Sequence, residues 1–206
     1  KNFFIYKASR LSENWINNSQ QYISEMYNRH KDANLTKGYI AFVLGTFEPL
    51  LDLKNEDSQL TLFRETIETL QDLEIPTLIK PHYFTQMEIV HEELNKIKKE
   101  NFFITHTHPT VLASNAKIWI CNLFSSTCAD AFGRGVPTIE YTDYSENLKK
   151  YSKNSSVNPE HIDYFISRDK QKLKHTIRKI LNEKNIYNSV LFINCKSFVC
   201  WNNSII

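Results

Sequence analysis

The chain has 206 residues, of which 41% are hydrophobic and 13% aromatic, and its formal net charge is +2. This composition excludes a disordered chain and allows a large hydrophobic core, and the 25 basic residues form no runs that would predict a DNA or RNA partner. Because the sequence has no membrane-length apolar stretch, no signal-peptide pattern and only four unevenly spaced cysteines, we expect a soluble, cytoplasmic protein.

Residues 1–37 predict a peripheral helix or connector in front of the main domain. The stretch Ser12–Arg29 can be wound as a helix whose apolar residues lie roughly on one side: Trp15, Ile16, Ile23 and Met26. Because the chain begins with Lys1 and not with methionine, we expect it to be part of a longer protein.

From Gly38 onward, short apolar runs alternate with stretches of helical periodicity. The predicted strands are Tyr39–Leu44, Ile75–Ile79, Phe102–Thr105, Lys117–Leu123, Pro137–Tyr141 and His161–Ser167. The predicted helices are Ser58–Leu73, Thr85–Lys99, Pro109–Asn115, Ser125–Gly133 and Asp169–Asn182. This alternation predicts an α/β fold with a doubly wound, mostly parallel, Rossmann-like open sheet over residues 38–185. Residues 186–206 are predicted to form a tail that packs on this domain or on a second domain.

Ligands of such sheets bind beyond the carboxyl ends of the strands, so the residues after each strand are the candidates for function. Gly45 and Thr46 follow the first strand, either as an ordinary turn or as a close approach to a ligand. Lys80 and His82 follow the second strand. They are either a solvated charge and a helix cap, or a cation and an imidazole that face a ligand.

His106 and His108 follow the third strand, and their i, i+2 spacing puts both on one side of an extended chain. No third metal ligand is obvious nearby, so phosphate contact or loop packing is favoured over a metal site. Glu140, near the end of the fifth strand, is a further candidate contact. We predict neither a metal nor another cofactor.

The fourth strand runs into Ser125-Ser126-Thr127, which the sequence places at the start of a helix that carries Asp130 in its first turns. Backbone amides, hydroxyls and the helix dipole would together favour an anion such as a phosphate at this turn. The alternative is that Ser125 or Ser126 only caps the helix.

Two segments resemble one known family of enzymes. The pattern Asp130-Ala131, three residues, Gly135, one residue, Pro137 resembles the acidic-Ala-x-x-x-Gly-x-Pro segment in the carboxyl-terminal domain of GT-B glycosyltransferases. Lys80-Pro81-His82 resembles the Lys-Pro-His-Pro element of bacterial surface-polysaccharide members, which include capsule Kdo transferases and CDP-glycerol glycerophosphotransferases. The family has proline where this chain has Tyr83, and usually Glu where it has Asp130.

The resemblance implies a role for each matching position. Ser125, Ser126 and Thr127 would hold the donor phosphate, and Asp130 would bind the ribose. Lys80 and His82 would face the diphosphate or leaving group as catalytic residues, and Thr46 would lie near the cleft. The acceptor site of these enzymes usually belongs to an amino-terminal domain, which residues 1–36 are too few to build.

The sequence therefore predicts the half of a surface-polysaccharide glycosyltransferase that binds a nucleotide-activated sugar, without a metal. Its acceptor would be a polysaccharide or glycolipid, and the longer protein could associate peripherally with a membrane. Two alternatives stay open. One is a UDP-N-acetyl sugar 2-epimerase of the same architecture, and the other is a non-catalytic binding or assembly module.

Overall fold

The computed structural model describes residues 12–47, 58–97 and 100–183, and in them six strands form one open sheet. The strands are β1 (Tyr39–Val43), β2 (Thr77–Lys80), β3 (Phe102–Ile104), β4 (Ala116–Cys121), β5 (Thr138–Thr142) and β6 (Tyr164–Ser167). Every pair of neighbouring strands is parallel. The predicted doubly wound α/β fold is confirmed.

The strands lie in the order β3-β2-β1-β4-β5-β6. The chain therefore builds outward from β1 to β3, returns to place β4 beside β1, and continues on the other side. Such a reversal is the topological switch point at which open α/β sheets bind ligands. Here it lies between β1 and β4.

Helices connect and cover the strands. They are α1 (Glu13–Ser19), α2 (Ile23–Arg29), α3 (Ser58–Leu70), α4 (Met87–Lys96), α5 (Pro109–Leu112), α6 (Cys128–Phe132), α7 (Glu146–Tyr151) and α8 (170–183). The sequence did not predict α7, a single short turn that begins where the Ser145 hydroxyl accepts a hydrogen bond from the Leu148 amide. The helix predicted at Ser125–Gly133 is shorter, because residues 125–127 form a turn before α6.

The sheet is buried on both faces, as expected for parallel strands covered by helices. On one face Ile40 and Phe42 of β1 pack with α3, whose apolar residues recur every three to four positions: Leu62, Phe63, Ile67 and Leu70. On the other face Tyr39, Ala41 and Val43 pack with residues of α2, α5 and α6. The continuous apolar run of β1 reflects this double burial.

The single helix predicted over Ser12–Arg29 is instead two helices, α1 and α2, separated by a 3-10 turn at Gln20–Tyr22, and polar contacts attach them to the second face. Arg134, just after α6, donates to the Ser19 hydroxyl over 3.0 Å. Gly38 then leads into β1 with a φ of +88°, a conformation that side chains disfavour, and an added Cβ would lie 2.8 Å from the Lys117 side chain. The predicted tail 186–206 lies outside the described residues.

Within those residues, no helix has both the length and the apolar character that crossing a membrane requires.

Candidate functional site

Because all six strands are parallel, their carboxyl ends lie in a row along one edge of the sheet, here called the carboxyl edge. In the sheet register, Val43 at the end of β1 pairs with Lys80 on one side and with Cys121 on the other. Adjacent strands are ~4.8 Å apart, so the ends of β2 and β4 stand roughly 10 Å from each other. The segments that follow β1, β2 and β4 therefore begin side by side at the switch point, the place where sheets of this kind bind ligands.

The loop after β2 contributes Lys80 and His82. Lys80 is half-buried, and burial lowers the pKa of its amine below the ordinary value. His82 is exposed, and its Nδ1 accepts a hydrogen bond from the Phe84 amide over 3.3 Å. In a neutral ring this bond places the proton on Nε2, which leaves a donor on the outer side of the imidazole.

The turn after β4 presents three hydroxyls to the same edge. The Ser125 and Thr127 hydroxyls lie 2.8 Å apart, and Ser125 Oγ also accepts from the Thr127 amide over 3.3 Å. Ser126, between them, is exposed. The predicted capping was wrong in detail, because the residue that precedes α6 is Thr127 and its side chain makes no capping hydrogen bond. The seryl hydroxyls instead belong to the turn itself.

Asp130 lies below this turn and only 2% of it is exposed. Its Oδ1 accepts a hydrogen bond from the Thr110 hydroxyl over 2.7 Å, and Thr110 in turn accepts one from the Trp15 indole over 3.0 Å. The carboxylate that the resemblance assigns to ribose is thus held by α5 and, through it, by α1. The ribose contact stays a prediction.

His106 and His108 are both exposed, and they lie on the wall of a cavity of about 420 Å³ between the first two helices and the loop after β3. Trp15 and Tyr22 form its aromatic wall. The ring of His108 packs edge-on against Trp15 with centroids 5.5 Å apart, and its Nδ1 accepts from the Thr110 amide at the start of α5. Trp15 therefore links this cavity to Asp130.

The remaining candidates are Thr46 and Glu140. Thr46 donates to Gln86 Oε1 over 3.4 Å, so its hydroxyl faces the loop after β2. Glu140 is fully buried and accepts hydrogen bonds from the hydroxyls of Tyr144 and Ser156. Burial raises the pKa of Glu140, although these two hydrogen bonds lower it in part. A ligand contact by Glu140 stays a prediction.

Sequence reasoning missed the residues that hold this edge together, namely Thr85, Gln86 and Thr110. Each bonds to a residue 20 or more positions away, and no local pattern signals such a contact. Within residues 12–47, 58–97 and 100–183, no three or more His, Cys, Asp or Glu side chains lie close enough together to hold a metal ion.

No family model and no curated protein matches this sequence. Among solved structures, the chain is similar to the UDP-GlcNAc 2-epimerase of Methanocaldococcus jannaschii, solved in complex with UDP-GlcNAc and UDP. The TM-score is 0.54 and the sequence identity is 13%. The matched region covers 82% of this chain and 46% of the epimerase chain. The glycosyltransferase VinC, in complex with dTDP, matches with a TM-score of 0.45 at 12% identity, over 72% and 34% of the two chains.

The similarity to the epimerase shows a shared fold, and the chain spans less than half of that enzyme's length.

Proposed function

We propose that this chain is the nucleotide-sugar-binding half of a two-domain glycosyltransferase-like enzyme of surface polysaccharide synthesis. The observation that supports the proposal is the position of Val43 between Lys80 and Cys121, from which we infer that the loop after β2 and the Ser125–Thr127 turn border one crevice. The crevice lies at the switch point of the sheet, where ligands of this architecture bind. Its donors, an ammonium group and several hydroxyls, suit a phosphate.

In this proposal the diphosphate of the donor lies between Lys80 and the turn at Ser126. Glycosyl transfer develops negative charge on the departing phosphate, and preorganised donors in a crevice stabilise that charge. The lysine supplies a cation, and the Nε2–H of His82 supplies a further hydrogen bond. The turn is held in shape by the bond between the Ser125 and Thr127 hydroxyls. No step requires a metal.

We place the nucleoside toward the cavity beside His108. Its volume of about 420 Å³ is within the range of small-molecule sites, and its aromatic wall offers Trp15 and Tyr22 to a planar ring. The hydrogen-bond chain from Trp15 through Thr110 ends at Asp130, the residue proposed for ribose. The sugar acceptor and the catalytic base would belong to the remainder of a longer protein.

Titration of the 206-residue chain with UDP, CDP and CMP by calorimetry tests the proposal. We expect one of them to bind, with unchanged affinity in EDTA, and Ser126→Ala to weaken binding roughly ten- to hundredfold, the range for one hydrogen bond to a charged group. Its thermal midpoint should stay near that of the wild type because Ser126 is exposed. Ser167→Ala, an exposed serine on β6, is the matched control and should bind normally.

Failure of all three nucleotides to bind, or unchanged binding by Ser126→Ala, would contradict the proposal. Restored affinity on adding magnesium after EDTA would contradict its metal-independent form.

A second candidate function is epimerisation of a UDP-N-acetyl sugar, and the similarity in fold to a UDP-GlcNAc 2-epimerase favours it. Both candidates use the same phosphate crevice, so nucleotide binding alone does not separate them. Incubating the full-length parent protein with UDP-GlcNAc does. A new epimer without an added acceptor supports epimerisation, whereas transfer requires the acceptor and leaves no epimer.

A further inference from the structure

Thr85 joins the loop after β1 to the loop after β2. Its hydroxyl accepts a hydrogen bond from the His82 amide and donates one to the Gly45 carbonyl, each over 2.7 Å. The Thr85 amide also donates to the His82 carbonyl over 3.0 Å. Since Thr85 is only 8% exposed, water competes little for these bonds.

Gln86 makes a second connection between the same two loops. Its Oε1 accepts a hydrogen bond from the Phe47 amide over 3.0 Å and a longer one, over 3.4 Å, from the Thr46 hydroxyl. We call these contacts of Thr85 and Gln86 the inter-loop bridge. The bridge ties the segment after β1 to the segment that carries His82, across the register pair of Val43 and Lys80.

The bridge is formed at the expense of local helix capping. Gln86 is the N-cap residue of α4, a position that usually prefers Ser, Thr, Asp or Asn, and its side chain makes no capping hydrogen bond. Thr85, a residue type that caps well, lies one position too early and uses its hydroxyl between the loops. Conflicts between local preference and structure are expected where function selects the residue.

We infer that Thr85 is a positioning residue for the phosphate crevice. Its hydroxyl fixes the backbone of His82 against Gly45, and so sets the direction in which the His82 ring enters the crevice. The inference rests on the proposed function, because the group to be positioned is the one that would contact the nucleotide.

The test compares Thr85→Val, which removes the hydroxyl but keeps the shape, with Thr85→Ser, which keeps the hydroxyl. For whichever of UDP, CDP and CMP the wild type binds, we expect Thr85→Val to raise the Kd about tenfold, as for the loss of a well-formed hydrogen bond, and Thr85→Ser to stay within about twofold. Equal Kd values for Thr85→Val and the wild type would overturn the inference. Rescue by serine separates positioning from simple packing, because serine lacks the methyl group but restores the bridge.

Amide hydrogen exchange measured by NMR gives a readout that does not need a ligand. In Thr85→Val, exchange at the His82 amide should be faster than in the wild type, whereas in Thr85→Ser this amide should stay protected. Unchanged exchange at the His82 amide in Thr85→Val would again overturn the inference. If the wild type binds none of UDP, CDP and CMP, the proposed function fails, and exchange alone decides whether Thr85 holds the loop. Should Thr85→Val not fold, Gln86→Met replaces it, with faster exchange expected at the Phe47 amide.

Discussion

Two cations stand at the carboxyl edge in opposite surroundings. Arg168, which follows β6, pairs with Asp143 over 3.1 Å and with Glu65 over 3.6 Å. Burial alone would lower the pKa of Arg168, but the hydrogen bond to Asp143 and the charge of Glu65 raise it. Lys80, at the end of β2, is also desolvated, and across the described parts of the chain no carboxylate lies within ion-pair distance of its amine.

In the proposed function, this difference separates a cation that stabilises the fold, Arg168, from one that would bind the ligand, Lys80. Desolvation disfavours both charges, and within residues 12–47, 58–97 and 100–183 acidic side chains compensate the charge of Arg168 but not that of Lys80. For Lys80 the compensation would come from an anion in the crevice. A partly desolvated ammonium group suits a phosphate-binding site, because its attraction to an incoming phosphate is weakened less by water.

Replacing Lys80 should give the largest effect. Lys80→Met keeps the length of the side chain and removes the charge, so we expect nucleotide affinity to fall roughly ten- to hundredfold, the range for a hydrogen bond to a charged group. The thermal midpoint should hold or rise, since an uncompensated charge is removed. Calorimetric titration and thermal unfolding measure the two effects. If Lys80→Met binds UDP, CDP and CMP with the same affinity as the wild type, Lys80 does not contact the nucleotide and the proposed difference between the two cations is wrong.

Arg168→Met should show the reverse pattern. Asp143, whose side chain is 6% exposed, would lose its cation, and we expect the free energy of unfolding to fall by about 1–2 kcal/mol, less than for a fully buried pair because Arg168 is itself partly exposed. Nucleotide affinity should not change. Urea unfolding with calorimetry on the same sample checks both statements. Weakened binding with unchanged stability would show that Arg168, too, belongs to the site.

The sheet could be predicted from sequence because its strands contain short apolar runs whose ends are marked by polar or turn residues. β1 is the clearest case, since every residue of Tyr39–Val43 is buried. The position of the candidate residues at one edge followed from the parallel topology. The length of the helix predicted from Ser125 was overestimated, because hydroxyl residues that can cap a helix can equally form the turn that precedes it.

Contacts between distant segments could not be predicted. The hydrogen-bond chain to Asp130 runs through Thr110 and Trp15, and the indole of Trp15 donates to a hydroxyl 95 positions further along the chain. The bridge at Thr85 depends in the same way on how closely two neighbouring loops approach. Pattern and periodicity describe single elements, whereas such bonds exist only after the elements have packed.

Replacing Glu140 should give the smallest effect on stability. It extends the comparison of Lys80 and Arg168 to a buried acidic side chain. Its carboxylate is compensated by the hydroxyls of Tyr144 and Ser156 and not by a cation, and burial raises its pKa above the ordinary 4.5. The folded protein therefore holds this proton to a higher pH than the unfolded chain does. As pH rises above about 4.5, toward the raised pKa, the free energy of unfolding therefore falls. A difference of one full proton between the two states would change it by ~1.4 kcal/mol per pH unit, and Glu140 should give a fraction of this.

Glu140→Gln removes this titration and keeps a side chain of the same shape, whose amide can bond to both hydroxyls. We expect the difference in unfolding free energy between variant and wild type to shift in favour of the variant as pH increases from 4.5 to 7. Urea unfolding at several pH values measures it, with Glu146→Gln as control because Glu146 is exposed on α7. A difference that stays constant with pH would mean that the hydroxyls compensate the carboxylate as fully as Asp143 and Glu65 compensate Arg168. Lys80 would then be the one group of these three whose charge no side chain of the described residues balances.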